Sequence, residues 1–173
     1  MMIPSAVRQL LLPALLVVIA SAASAAEPSG CAAFKWPVDR ERAMLTAPDV
    51  TRLDTGAELA APPTTAMKLV LRPTAEAALP TPPERGSATD RFAGFLRIEK
   101  IAKPGNYTIA LSSAGWLDVV QDGKLLKPTA FSGATDCAGI RKLVRYELGA
   151  GKLLLQISGV DSDAIVLAIL PVD

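Results

Sequence analysis

An antiparallel β-sandwich or jelly roll of about eight strands, with a short helix near its N-terminus, is the fold this sequence predicts. Three observations lead there. From Arg91 onward, runs of about five to eight residues alternate apolar and polar side chains or are rich in Val, Ile and Leu. Turn residues recur roughly every 8–12 positions between them, as in all-β sandwiches. No segment of helical length separates these strands, which excludes a parallel α/β sheet, since parallel strands need long crossovers.

The elements follow in chain order. Residues 1–26 read as a secretory signal. Arg8 is its single charge, Leu10 to Ala20 (LLLPALLVVIA) is an apolar run of 11 residues, and Ser21 to Ala26 (SAASAA) is small throughout. A spanning helix needs about 20 apolar residues, and this run is roughly half that. Cys31 stands too far beyond the run, after Glu27-Pro28-Ser29-Gly30, for a lipoprotein box. Cleavage after Ala25 or Ala26 leaves no further spanning segment.

Residues 27–65 form an N-terminal segment. After an irregular leader, Trp36 to Ala47 (WPVDRERAMLTA) predicts a short helix. Pro37 suits a first turn, Asp39 and Glu41 suit the positive N-terminal end, and Pro48 stops it. Residues 48–65 hold Pro48, Gly56, Pro62 and Pro63 with little periodicity, and read as a surface loop.

The sandwich domain is expected over residues 66–173. Met67 to Arg72 alternates with Met67, Leu69 and Leu71 inward. Residues 73–90 carry Pro73, Pro80, Pro82 and Pro83, so they cannot form a central strand and read as the most flexible loop. Strands follow at Phe92 to Ile101, Tyr107 to Leu111, Trp116 to Gln121 and Lys124 to Lys127, the last two joined by an Asp122-Gly123 hairpin turn. Arg141 to Leu148, Lys152 to Ser158 and Ala164 to Leu170 complete the set. The last is apolar on both faces and is expected to be central.

Composition excludes several functions. The chain has no His, which removes Ser-His-Asp triads, Cys-His dyads, His-ligated zinc or iron and His-based pH switches. Its 18 basic and 17 acidic residues nearly balance, and loss of residues 1–26 removes only Arg8. Nucleic acid, which demands a basic footprint, is therefore not an expected partner. Glycine-rich phosphate cradles and a Gly-x-Ser-x-Gly elbow are missing, and no cofactor is expected. Asp161-Ser162-Asp163 lacks the glycine and terminal Glu of a calcium loop and reads as a polar turn.

The two cysteines, Cys31 and Cys137, are an even pair in an exported domain, and a disulfide between them is expected. It pins the segment Phe131 to Lys142 (FSGATDCAGIRK) against Trp36 and the helix. Carboxylate chemistry has five candidates in Glu99, Asp118, Asp122, Asp136 and Glu147, with no pair singled out. Trp116 begins a strand with Asp118 two residues on and on the same side. An aromatic at a sandwich edge can stack on a sugar, although a core Trp with its indole N–H bonded is the plainer reading. Trp116, Asp118, Asp136 and Arg141 are the candidate ligand contacts.

The run Gly105 to Ile140, together with Cys31-Ala32-Ala33-Phe34-Lys35-Trp36-Pro37-Val38-Asp39-Arg40-Glu41-Arg42-Ala43, resembles small exported proteins of unknown function in alphaproteobacteria. The elements that carry it are Cys31, Trp36 to Glu41, Trp116-Leu117-Asp118-Val119 and Asp136-Cys137 through Lys142. Some of those relatives bear the name homogentisate dioxygenase. That activity implies an iron held by histidines, which this chain does not possess, so the resemblance implies export and a disulfide and adds no catalytic residue. The strand Gly105 to Leu111 leading to Asp122-Gly123-Lys124 also looks like the meander of pre-peptidase and PA14-type sandwiches, which are ancillary binding modules. The expectation is a periplasmic or secreted non-enzymatic binding module for a protein or a carbohydrate. The alternatives are a His-independent carboxylate hydrolase and a structural protein of the cell envelope.

Overall fold

The computed structural model describes residues 26–85 and 88–172. The signal segment therefore lies, apart from its last residue, outside the described residues. The strands are β1 (Thr51–Asp54), β2 (Ala57–Leu59), β3 (Met67–Val70), β4 (Arg72–Pro73), β5 (Phe92–Ile101), β6 (Gly105–Leu111), β7 (Trp116–Gln121), β8 (Lys124–Leu125), β9 (Ala130–Gly133), β10 (Lys142–Leu148), β11 (Gly151–Val160) and β12 (Ala164–Pro171). Among the described residues one α-helix, α1 (Asp39–Leu45), precedes them.

Two sheets face each other. The first has the order β1-β3-β12-β6-β10-β9, and the second β2-β5-β11-β7-β8, with β4 also paired to β5. Removing the short additions leaves β3-β12-β6-β10 against β5-β11-β7-β8, in which every successive strand except β8 after β7 crosses to the opposite sheet. That is the jelly-roll order. β12 lies between β3 and β6, as its two apolar faces require. Asp122 and Gly123 have φ of 51° and 74°, the two positive values that a type I′ hairpin needs.

Alternation decides which face each side chain takes. Met67, Leu69, Ile109, Leu111, Val144 and Tyr146 of the first sheet meet Leu96, Ile98, Leu117, Val119, Leu155 and Ile157 of the second in one continuous core. The outer face of the first sheet is apolar as well. Ala110, Leu143, Ala168 and Leu170 point outward from it and are covered by Phe34, Val38 and Leu45 of the N-terminal segment and α1. The Cys31–Cys137 disulfide closes over this layer. Gly139, at φ 83°, permits the closest approach there: a Cβ on it would stand 2.3 Å from the Thr46 methyl at the end of α1.

The outer face of the second sheet is covered differently. Gln156 of β11 accepts a hydrogen bond from the Thr81 backbone N–H at 2.9 Å and donates to the Thr81 carbonyl and hydroxyl. Asp118 of β7 accepts from the Glu84 N–H at 3.1 Å. The proline-rich segment expected to be a flexible loop is thereby strapped to the sheet at two points.

Three further expectations are corrected. Residues 48–65 are not simply a surface loop, because β1 pairs in parallel with β3 and β2 in parallel with β5. A three- or four-residue edge strand is too short to display a period, so its pairing is visible only through the sheet it joins. Among the described residues the strand count rises from about eight to twelve for the same reason: β1, β2, β4 and β9 have two to four residues each. The helix spans Asp39–Leu45, with Val38 at its N-cap and Thr46 at its C-cap, rather than the whole of Trp36 to Ala47.

Candidate functional site: a groove at the open edge

β8 pairs only with Val120 and Gln121, so the first half of β7 has no strand on its outer side. The chain instead leaves β8, crosses the edge of the sandwich and becomes β9 on the opposite sheet. The gap between β7 and β10 stays open as a groove. It consists of two adjoining cavities of about 670 and 460 Å³ that share Glu27, Gly115, Phe131 and Lys142. Each lies in the size range usual for small-ligand sites.

The floor of the larger cavity comes from the core. Val144 and Tyr146 reach it because they alternate inward from β10. The Tyr146 hydroxyl donates to the Leu117 carbonyl at 3.2 Å, bridging the two sheets beneath the groove. Burial, with the Asp118 and Glu84 charges next in size, pushes the Tyr146 phenol well above its ordinary range.

Trp116 forms one wall. Its indole N–H donates to Asp118 Oδ1 at 2.7 Å, and the other Asp118 oxygen takes the Glu84 N–H. Asp118 is only 3% exposed, so both of its oxygens are committed to holding the tryptophan and the strap. The Arg85 guanidinium stands 4.3 Å from the centre of the indole and the Lys142 ammonium 5.2 Å. Both are within cation–π range. Lys142 also donates to the Gly115 carbonyl at 3.1 Å. Burial holds its pKa below the ordinary lysine value, and repulsion from Arg85 and Arg141 adds to the effect.

The smaller cavity carries Lys35, Phe131, Arg141 and Lys142. Phe131 is 59% exposed, the most exposed large apolar side chain described, with the Lys35 ammonium 4.7 Å from its ring centre. Arg141 donates to Glu27 at 2.8 Å, and Glu84 pairs with Lys127.

The four sequence candidates divide. Trp116 and Asp118 line the larger cavity together, and Arg141 lines the smaller one. Asp136 lines neither. It sits on the disulfide loop at φ 55° and accepts from the Ser29 hydroxyl at 2.6 Å. That bond, followed by one from Thr135, holds its carboxyl below the usual range. Of the remaining carboxylate candidates, Glu99 pairs with Lys152 at 2.7 Å beside Asp122 in a separate depression, and Glu147 is exposed on β10.

Sequence reasoning missed Arg85, Phe131 as a ligand contact, and Tyr146. Tyr146 was within reach, because it shares parity with Val144. Arg85 had no signal, since the path of a proline-rich strap has no period. Among the described residues no group of three His, Cys, Asp or Glu is placed to hold a metal, and no helix is long and apolar enough to cross a membrane. No protein-family model matches the chain, and no curated protein matches it.

Proposed function

We propose that this chain is an exported, non-enzymatic binding module acting in the periplasm or outside the cell, and that the edge groove is its ligand site. The observation that carries this reading is the groove itself. An exposed Phe131, a half-buried Trp116 and four cations converge on one concave edge, while its carboxylates are occupied. Asp118 holds the indole and the strap, Glu27 holds Arg141, and Glu84 holds Lys127. Carboxylates so engaged suit a shape that positions and grips better than one that moves protons.

Export is supported by the signal-like first 26 residues and by the disulfide. A ligand screen tests the function directly. The oxidised protein on a glycan array and against envelope extract should retain a ligand, and Phe131→Ala should abolish that retention without lowering the melting temperature. Retention that survives Phe131→Ala, or no ligand above background, refutes the assignment.

A further inference from the structure

Resting on the reading of the edge groove as the ligand site, we infer that its ligand is an acidic saccharide, a short chain of uronic-acid-type units. Arg85 and Lys142 grip one carboxylate, and Lys35 and Arg141 the next. The charge pattern is the first reason. Arg85 and Lys142 crowd one indole, and among the described residues neither is paired with a carboxylate. Like charges held together repel, and an anion from outside relieves that repulsion. Arg141 is engaged by Glu27, but the Glu27 side chain is 68% exposed and is readily exchanged for a ligand carboxylate. Arginine favours a carboxylate because its fork donates two parallel hydrogen bonds.

Shape supplies the second reason. The cations are spread over two adjoining cavities, a longer reach than one small anion spans. Between them Phe131 offers an open ring, suited to the C–H face of a pyranose. An acidic peptide would seek backbone partners along a free strand edge. Here the Leu117 carbonyl already accepts from Tyr146 and the Val119 carbonyl from the Leu126 N–H, so an incoming strand would meet carbonyls that are already engaged.

Calorimetric titration of the oxidised protein with tetragalacturonate, with neutral galactotetraose and with a glutamate-rich peptide tests this, with backbone amide NMR to locate binding. Tetragalacturonate should bind at least roughly tenfold tighter than the neutral tetramer, and more weakly as salt rises. Arg85→Gln and Lys142→Gln should each lose about tenfold, and Lys142→Arg should keep most of the affinity. Equal melting temperatures exclude misfolding as the cause. Tetragalacturonate binding no tighter than the neutral sugar, or indifferent to both Gln variants, overturns the inference. Tighter binding of the neutral sugar or the peptide, with shifts at Phe131, overturns the acidic-sugar class and leaves the groove as a binding site. No binding by any probe, with the groove amides unshifted, counts against both.

Discussion

The two sheets of the sandwich wear different covers. Over the first, Phe34, Val38 and Leu45 bury themselves on Leu143, Ala168 and Leu170, and a disulfide locks them down. Over the second, a proline-rich strap is held by the side chains of Gln156 and Asp118. The first cover extends the hydrophobic core, and its removal exposes apolar surface to water. The second is a polar clip, and water can replace each of its bonds once it opens. Each cover also ends at the groove. The N-terminal one brings Glu27 and Lys35, and the strap brings Glu84 and Arg85. One wall of the site is thus built on core and the other on hydrogen bonds, so the two walls should differ in how easily they loosen.

The largest test of that difference is the disulfide. Its cysteines are 106 residues apart, and a closed loop of that size contributes about 4–5 kcal/mol in the chain-entropy view. The Cys31→Ser/Cys137→Ser double variant should lose about that much in urea unfolding, with hydrogen exchange rising first over residues 31–45. A loss below about 1 kcal/mol would mean that the apolar contacts alone hold the cover.

A smaller effect is expected at Gln156, which is 1% exposed and makes three bonds to Thr81. Gln156→Ala should cost roughly 1–3 kcal/mol. Its more telling outcome is local. Amides near residue 81 should exchange freely while those of β11 stay protected, and affinity at the groove should fall because Arg85 is no longer held. Uniform loss of protection would show that the strap belongs to the cooperative core.

The smallest effect lies beneath both covers, at Tyr146, whose hydroxyl joins the sheets. Tyr146→Phe should cost about 0.5–1.5 kcal/mol at neutral pH. Its pH signature is sharper. The folded phenol ionises only well above the ordinary tyrosine value near 10, so the unfolded chain releases its proton first. Stability is therefore full below pH 10 and declines as pH rises above it. The Phe variant should lack that alkaline decline, and an identical decline in the variant would place its origin elsewhere.

How far the site could be read beforehand follows the same physics. Trp116 and Asp118 were legible as a pair, because strand alternation places i and i+2 on one side. That Asp118 is buried and spent on the indole depends on Glu84 arriving from a strap 34 residues away in sequence. Asp136 and Arg141 lie on the same loop, yet the Asp136 side chain turns to Ser29, a contact across 107 residues. The short strands β1 and β2 were invisible because their hydrogen bonds go to β3 and β5, not to each other.

Local pattern by itself determined the eight principal strands, their inward faces, the Asp122-Gly123 hairpin and the cysteine pair. Each depends on a period of two, on allowed φ angles or on a count of residues, and these are properties of a chain near itself. Tertiary structure alone decided that the β7 edge stays open, that the proline-rich segment is bound down, and that Arg85, Lys142, Phe131 and Trp116 meet. Those outcomes come from which distant segments fill the space around each sheet, and packing of that kind leaves no periodic trace in the order of the residues.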